Sequence, residues 1–390
     1  MASQFKNSNL GYYLYAAIVV IIGAASLFVF WYMITGFNIG KYDENTIIGS
    51  VYIGGLTEEE AEDKLRGRIE DWLEDERVLF EARYQGYSYE FDRELIFFDI
   101  DQSLADIQDG STNTLYVSYS ETALAEVFTE FDNEPWMETM QDQFDLEALI
   151  DDILNDAAGM KTFSSKQLNH YVIEESSFID VLYIGNLSVP DTLQSQALDA
   201  DELMDKINNQ FPEGLTIEPK SFFSVLDTFD ESFTRAELSY ISSLLLEIIP
   251  ETPFNIHERD YFIDQSLSNY NQPSYTFYGR NSVVQRNYGI DFSFENNTYC
   301  TFYITFDTAN DFFNVTLSGA PILDDISVER EIVHFDYETV ETTDPDEVRA
   351  GTEGVIVLVN RTITNIYNDV LADDLIIYEY YPAIDEIVLE

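Results

Sequence analysis

The stretch NTIIGSVYIGGLTEEEAEDKLRGRIEDWLE, residues 45–74, passes from a strand-like pattern to a helical one. Its β-branched run ends at the glycine pair Gly54-Gly55, and Thr57 with Glu60 then forms a capping-box pattern. Apolar residues follow at helical spacing, and they are Ala61, Leu65, Ile69 and Trp72. The stretch therefore predicts a strand, a tight turn and an amphipathic helix, which together begin an α+β module.

The sequence up to residue 165 continues this mixture of strands and helices. Short runs rich in β-branched and aromatic residues alternate there with helical patterns. We predict strands at Val78–Tyr84, Tyr87–Phe91, Leu95–Ile100 and Leu115–Tyr119, and helices at Glu121–Phe131 and Leu146–Asp156. Residues 45–165 are therefore expected to form one compact α+β module.

A similar opening recurs after residue 178. YIGNL (residues 183–187) echoes YIGGL (residues 52–56), and an acid-rich helical pattern follows each of them. The two stretches are either a true repeat or two uses of a common strand–turn–helix design. The sequence does not decide between these two interpretations.

The C-terminal half of the chain is richer in strand patterns. A helix is predicted at Ala236–Ile249, and the sequences FYITFD and VIVLVNRTIT then alternate as half-buried antiparallel strands do. We predict a second domain at residues 178–340 and a C-terminal β-hairpin extension at residues 341–390. The predicted fold class is α+β, with two or three modules and a strand-rich, antiparallel C-terminal part.

The N-terminus carries a long apolar segment, YYLYAAIVVIIGAASLFVFWYMIT, residues 12–35, which is 24 residues without a charge. About 20 helical residues cross a hydrocarbon core, so the segment is long enough to span a membrane. A cleaved signal peptide is the alternative, but the small residues at 23–26 lie in mid-span. We predict a short cytoplasmic tail at residues 1–11, a transmembrane signal-anchor at 12–35, and an extracellular C-terminal domain.

The charge is strongly acidic, with 73 Asp and Glu against 19 Lys and Arg and a net charge of −54. Such a surface repels nucleic acids and anionic lipid head groups. It is interpreted as a solvated shell suited to salt or high external pH, with cation collection as the alternative. DIDQSLADIQDG, residues 99–110, lacks the sixth-position glycine of a calcium-binding hand. No metal and no cofactor is predicted.

Cys300 is the only cysteine, so the domains are expected to fold without an internal disulfide bond. Its neighbours alternate along a strand, which places the thiol on the same face as Phe302 and Ile304. We therefore predict an inert core thiol. A cysteine-poor exported chain fits a bacterial cell surface better than a secreted eukaryotic protein.

Several pieces of the sequence resemble known families of the bacterial envelope. IIGSVYIGGLTEEEAEDKL is similar to the opening of a peptidoglycan-binding module of Gram-positive surface proteins. The C-terminal half resembles the VanW family, named for an accessory protein of vancomycin-resistance clusters. The pieces that carry this resemblance are IEPKSFFS (217–224), SYISSLLLEII (239–249), FNIHER (254–259), IDFSFENNTYCTFYI (290–304) and NVTLSG (314–319). The resemblance implies binding at the cell wall.

The sequence departs from the VanW pattern at one place. The family carries a glycine-rich segment that ends in Cys-Gln before a Ser/Thr-rich helix. Here Ser239 and Tyr240 stand at those two positions, and the glycines are missing as well. The resemblance therefore implies a degenerate domain that has lost the thiol and the amide of the family motif.

An enzymatic alternative would use Ser242 or Ser243 as a nucleophile and His257 as its base. The serines are not accompanied by a Gly-x-Ser-x-Gly elbow or a Ser-x-x-Lys box. They lie in an apolar helical stripe, where serines commonly pack against neighbouring backbone. We therefore predict that this segment is a packing helix and that the protein is not an enzyme.

Arginine and aromatic residues are the candidate ligand contacts. Arg259 and Arg361 are scarce bases in an acidic chain, and each is expected either to anchor a structural ion pair or to clamp a carboxylate of a peptide stem. The aromatic loop of residues 270–280 suits stacking on sugars. The predicted ligand-binding residues are Arg259, Tyr270, Tyr275, Tyr278 and Arg280.

These observations predict a membrane-anchored, non-catalytic protein of the Gram-positive envelope. Its expected partner is peptidoglycan or another component of the cell-wall machinery. Two alternatives are a wall-modifying enzyme that uses the serines and His257, and a scaffold for another membrane protein without affinity for glycans.

Overall fold

The computed structural model describes residues 6–390 apart from 37–39, 139, 141–142, 174–177, 190–191, 194–195, 198 and 263–277. The chain divides into two compact units. The first contains residues 1–82, 88–132 and 146–166, and the second contains residues 83–87, 133–145 and 167–390. The fold mixes helices and strands, as the α+β prediction requires, and its C-terminal part is rich in antiparallel strands.

The first unit begins with the predicted apolar helix. Its helices are α1 (Lys6–Gly36), α2 (Glu58–Glu74), α3 (Ile100–Ala105), α4 (Glu121–Asp132) and α5 (Leu146–Ala158). The strands of this part of the chain are β1 (Ile47–Ile48), β2 (Val51–Tyr52), β3 (Leu79–Tyr84), β4 (Tyr87–Glu90), β5 (Ile96–Asp99), β6 (Thr112–Asn113), β7 (Tyr116–Tyr119) and β8 (Phe163–Gln167). They form sheets in the orders β2-β1-β6, β4-β3-β8 and β5-β7.

Helix α2 forms as its sequence predicts. The Thr57 side chain accepts a hydrogen bond from the Glu60 backbone at 3.3 Å, and the Glu60 carboxylate accepts one from the Thr57 backbone at 2.9 Å. All four residues of the predicted apolar stripe are buried, and Trp72 packs against Phe80 and Phe98 in the core of the unit. At the preceding turn Gly55 has a φ of 77°, a conformation that glycine adopts at little cost.

The second unit is built mainly of antiparallel sheets. Its helices are α6 (Ala200–Gln210), α7 (Val225–Thr228) and α8 (Arg235–Leu245). Its strands are β9 (Asp180–Ser188), β10 (Thr192–Leu193), β11 (Gln196–Ala197), β12 (Leu215–Ile217), β13 (Phe222–Ser224), β14 (Asn255–Glu258), β15 (Ser293–Glu295), β16 (Phe302–Ala309), β17 (Phe312–Gly319), β18 (Asp325–Phe335), β19 (Thr339–Thr342), β20 (Gly354–Thr364), β21 (Val370–Tyr381) and β22 (Glu386–Leu389). The sheet orders are β12-β16-β17-β9, β13-β15-β14, β18-β20-β21, β10-β11 and β19-β22, and only the last pair is parallel.

Helix α8 is shorter than the predicted helix at Ala236–Ile249. It ends at Leu245, and a short 3₁₀ helix at Ile249–Glu251 follows. Pro250 accounts for this early end, because proline disfavours helical conformation in the residue before it and lacks an N–H. Every residue of α8 after Arg235 except Glu237 is buried, so the helix forms part of the core of the second unit.

The predicted C-terminal hairpin belongs to a larger sheet. β20 and β21 form that hairpin, but β18 pairs with β20 along its whole length, from Asp325 opposite Thr364 to Phe335 opposite Gly354. Residues on both sides of the predicted boundary at 340 therefore contribute to one three-stranded sheet. The polar segment near residue 340 predicted a domain boundary, but a local pattern of polar residues does not show that the strands on either side of it pair with each other.

The echo between YIGGL and YIGNL is not a structural repeat. In the first stretch β2 ends and a turn leads into α2, whereas the second stretch, YIGNL, lies inside the long strand β9. Gly185 of β9 lies where an added Cβ would come within 2.6 Å of the Glu247 Cβ atom. The glycine of the second stretch therefore serves close packing, and the glycines of the first serve a turn.

Candidate functional site

The two serines of the enzymatic alternative lie in the core, bonded to backbone groups. Ser242 and Ser243 are fully buried. The Ser242 hydroxyl donates to the carbonyl of Ser239 at 3.0 Å, and the Ser243 hydroxyl donates to the same carbonyl at 2.8 Å. The Ser243 oxygen also accepts a hydrogen bond from the backbone N–H of Ser282 at 2.9 Å. These hydroxyls hold α8 against the segment around Ser282.

His257 does not lie beside these serines. It stands on β14 with about half of its side chain exposed, and its Nε2 atom lies 2.9 Å from a carboxylate oxygen of Glu295. Its ring also lies 5.5 Å from the ring of Phe222. A buried pair of hydroxyls and an exposed imidazole with other partners do not form a nucleophile and base. The serine–histidine constellation is not assembled.

Of the two roles predicted for Arg259, the structure shows the structural ion pair. Its guanidinium donates to the carboxylate of Glu379, which is fully buried, and to the backbone carbonyl of Asn281. The same carboxylate accepts hydrogen bonds from the Gly279 N–H at 2.8 Å and the Tyr381 hydroxyl at 2.9 Å. With only 7% of its side chain exposed, Arg259 belongs to the core rather than to a ligand surface.

The other predicted ligand contacts are divided between packing and surface positions. Tyr278 packs edge-on against Tyr381 at 4.8 Å. Arg280 is partly exposed, and its guanidinium donates to Glu247 at 2.8 Å. Burial raises the pKa of Glu247, against the opposing effect of the Arg280 and Arg330 charges. Tyr270 and Tyr275 lie outside the described residues.

Arg361 is also a structural residue. It is buried on β20, and its guanidinium donates to the backbone carbonyls of Thr252 at 2.8 Å and Phe254 at 2.6 Å. Asp374 lies 3.8 Å away on the neighbouring strand. Arg361 therefore ties the C-terminal sheet to the loop that precedes β14.

Cys300 is buried, as predicted, and burial raises the pKa of its thiol. The side chain of Gln85 lies 3.8 Å from the sulfur. A thiol with a raised pKa is a poor nucleophile at neutral pH. Cys300 therefore has the environment of a structural cysteine.

The residues with the composition of a binding site lie at a different place, where the loop before β16 meets segments around residues 85, 220 and 324. They line a cavity of about 310 Å³ in the second unit, which we call the Tyr299 cavity. Its lining residues are Gln85, Gly86, Lys220, Pro253, Asn297, Thr298, Tyr299, Ile322 and Asp324. An aromatic ring, an amine, two side-chain amides and one carboxylate thus converge on one cavity.

Tyr299 and Lys220 form the most exposed part of this cavity. The Tyr299 side chain is 47% exposed, and the Lys220 ammonium lies over its ring at 4.2 Å from the centroid. The same ammonium donates to the backbone carbonyl of Asn297. This cation–π contact holds the ring in one orientation while leaving about half of it accessible.

Side-chain amides fix the two loops that carry these residues. Asn296 is fully buried, and its amide donates to the carbonyls of Glu218 at 2.9 Å and Cys300 at 2.8 Å. The Asn169 amide donates to the carbonyl of Tyr299 at 2.7 Å. The cavity therefore rests on loops held by internal hydrogen bonds, as a preorganised binding site requires.

Asp324 is the only carboxylate among the described residues that line the cavity. It accepts a hydrogen bond from the Tyr87 hydroxyl at 2.6 Å. Burial raises the pKa of Asp324, and the bond from Tyr87 works in the opposite direction. Across the part of the chain that the structure describes, no group of three or more His, Cys, Asp or Glu side chains is placed to hold a metal ion.

The sequence contained a signal for this site that the prediction did not use. Lys220 and the run Asn297–Tyr299 each lie inside a piece that carries the VanW resemblance. Lys220 is one of few bases in an acidic chain. An unusual lysine and the polar run NNTY before a strand are the features that could have indicated the cavity.

The N-terminal helix and the comparisons with known proteins complete these observations. Residues 11–33 of α1 are long and apolar enough to cross a membrane, and none of this segment is buried against the rest of the protein. The sequence matches no model of a known protein family, and a search of curated proteins finds no significant match.

Proposed function

We propose that the protein is anchored in a membrane by α1 and binds a glycan of the Gram-positive cell wall at the Tyr299 cavity, without catalysis. The observation that carries this proposal is the half-exposed ring of Tyr299, held by Lys220 beside side-chain amides. An aromatic face packs against the apolar face of a sugar, and amides bond its hydroxyl and N-acetyl groups.

The charge of the protein favours this mode of binding over an electrostatic one. With a net charge of −54, the protein gains nothing from general attraction to an anionic wall polymer. Binding through a ring face and amides does not depend on opposite charge. The charged side chains among the described lining residues are Lys220 and Asp324, one of each sign.

The cavity chemistry supports binding rather than glycoside cleavage. Hydrolysis of a glycosidic bond ordinarily uses two carboxylates that flank the scissile bond. Asp324 is the only one among the described lining residues, and it is engaged by Tyr87. The VanW-like pieces that contain Lys220 and Tyr299, and the apolar helix α1, agree with a wall-facing protein.

A co-sedimentation experiment with purified peptidoglycan sacculi tests the proposal. The full-length protein in a neutral detergent should pellet with sacculi, and Tyr299→Ala should raise the dissociation constant about tenfold, equivalent to ~1.4 kcal/mol. Tyr288→Ala is the matched control, because Tyr288 is 76% exposed and does not line the cavity. It should bind like the unmodified protein.

Two results would contradict the proposal in different ways. If the unmodified protein stays in the supernatant, it has no affinity for the wall, and the scaffold alternative is favoured. If the Tyr299 and Tyr288 variants both bind normally, the wall is bound elsewhere. Release of soluble muropeptides by the unmodified protein would instead favour the enzymatic alternative.

A further inference from the structure

The outer face of the C-terminal sheet β18-β20-β21 carries an exposed group of apolar side chains. The strand register places Val333, Ile356 and Tyr380 in one row across the three strands, and Leu358 beside Tyr378 in the next. Tyr378 and Leu375 are each 54% exposed, Tyr380 is 42% exposed and Val333 39%. We call these six residues the outer patch. It is independent of the Tyr299 cavity.

Tyr380 of the outer patch has defined packing and hydrogen-bonding partners. Phe335 and Tyr380 stack with ring planes 5° apart and centroids 5.7 Å apart. Tyr380 is further fixed through its backbone, because its N–H donates to the Tyr261 hydroxyl at 3.0 Å. Contiguous exposed apolar groups with ordered aromatic rings are characteristic of protein-binding surfaces.

The basic residues of the same strands lie on one face only, whereas acids lie on both faces, Asp374 and Glu379 being on the face opposite the outer patch. Glu329, Glu331 and Asp373 occupy outward positions and are exposed, in line with the outer patch. Arg330 and Arg361 are the only basic Lys or Arg residues of these three strands, all of which the structure describes, and both occupy the opposite face. The apolar patch is thus bordered by acids, and the outer face of these three described strands carries no Lys or Arg.

From this arrangement we infer that the outer patch docks a basic, amphipathic segment of another protein. Apolar side chains of that segment would cover Tyr378, Tyr380 and Leu375, and its Lys or Arg residues would meet Glu329 and Glu331. Charge complementarity excludes the other occupants. A second copy of this chain would bring the same acids together, and an anionic membrane would be repelled.

Peptide binding to the full-length protein in nanodiscs of uncharged lipid tests this inference, with empty discs as the blank. The probe is a fluorescent amphipathic helix of leucine and lysine, and a leucine–glutamate helix is its counterpart. The lysine peptide should bind, and Leu375→Ser/Tyr378→Ser should weaken it about tenfold. Phe222→Ser/Tyr288→Ser is the matched control, since both residues are well exposed elsewhere in the second unit.

A second pair of variants separates the patch from the general charge. Glu329→Gln/Glu331→Gln should weaken the lysine peptide several-fold, while Glu58→Gln/Glu59→Gln, with the same change in net charge, should not. If the two glutamine double variants weaken binding of the lysine peptide equally, the attraction is non-specific and the inference is overturned. The same holds if the two serine double variants weaken it equally. Binding of the leucine–glutamate peptide would also overturn it. So would a dimer in sedimentation that Leu375→Ser/Tyr378→Ser dissolves, because a second copy would then be the occupant.

Discussion

Ser242 and Ser243 are adjacent in sequence and both buried, but their hydroxyls make different hydrogen bonds. Alanine substitution of each can therefore be compared directly. Ser243 accepts the N–H of Ser282, whereas Ser242 only donates to carbonyls. Ser243→Ala should therefore leave a buried N–H without a partner and destabilise the protein by about 1–3 kcal/mol. Ser242→Ala should cost less. Urea denaturation measures both, and equal losses would contradict this assignment.

Because Arg259 and Glu379 form a buried ion pair, we expect the effects of substituting them on the free energy of unfolding to be strongly coupled. Arg259→Met should destabilise the protein by about 3–5 kcal/mol, because it leaves the buried carboxylate of Glu379 uncompensated. Arg259→Met/Glu379→Gln should be more stable than the single variant, since the remaining group is neutral. A double-mutant cycle in urea measures this, and additive losses would show that the two groups do not depend on each other.

Asp156 gives the first unit a defined response to acid. Burial opposes its ionisation, but hydrogen bonds from Lys161, Ser164 and Lys166 outweigh burial and lower its pKa to about 2. A lowered pKa stabilises the fold above the ordinary value of 3.8 and loses that effect as the pH falls towards 2. After allowance for solvent screening, Asp156→Asn should cost about 1 kcal/mol at pH 6.

The measurement compares urea unfolding of Asp156→Asn and the unmodified protein at pH 6 and near pH 2.5. The difference between them should shrink at the lower pH, even though both proteins lose stability there for other reasons. A difference that stays constant would show that the ionised carboxylate of Asp156 is not what stabilises the unit.

Among the elements, α2 offers the clearest test of a local signal. Thr57→Ala removes the N-cap side chain and should cost about 1 kcal/mol of stability. Glu60→Gln keeps an oxygen that can accept the bond from the Thr57 backbone, so it should be the milder change. Chemical denaturation measures both, and a more damaging Glu60→Gln would indicate that charge, not capping, governs this end of the helix.

An element could be predicted where its own sequence contains the residues that begin it and determine which face is buried. α2 has its cap, its turn glycine and its apolar stripe within one short stretch, and the structure forms it as expected. YIGNL has Asn186 where YIGGL has the turn glycine Gly55, and it pairs with β17 as part of β9. The pairing of β18 with β20 likewise depends on contacts between distant residues, which a local pattern does not contain.

The candidate site was harder to predict than the fold. Arg259 could be singled out because bases are scarce in this sequence. Its partner could not be predicted, because Glu379 lies 120 positions further along the chain. The Tyr299 cavity is assembled from loops around residues 85, 220, 299 and 324. Only the folded chain brings these loops together, so the residue types could be noticed in the sequence but their convergence could not.

At the scale of the whole molecule, net charge should govern the response to salt. A net charge of −54 makes the folded state repel itself, and added salt screens this repulsion. The interior pair Arg259–Glu379 is screened much less than surface charges. The urea midpoint should therefore rise as sodium chloride is increased from low concentration to about 1 M, where the Debye length is ~3 Å. A falling midpoint would mean that exposed ion pairs dominate stability.

The ties between the C-terminal sheet and the body of the second unit also bear on how the chain is made. Arg259 is synthesised long before Glu379, and the carbonyls of Thr252 and Phe254 long before Arg361. A ribosome-bound chain that has not reached β21 therefore holds a guanidinium without its counter-ion at a place destined for the interior. The second unit will complete its packing only after the last strands have emerged, so a nonsense mutation before residue 379 should yield a protease-sensitive product rather than a shortened but intact domain.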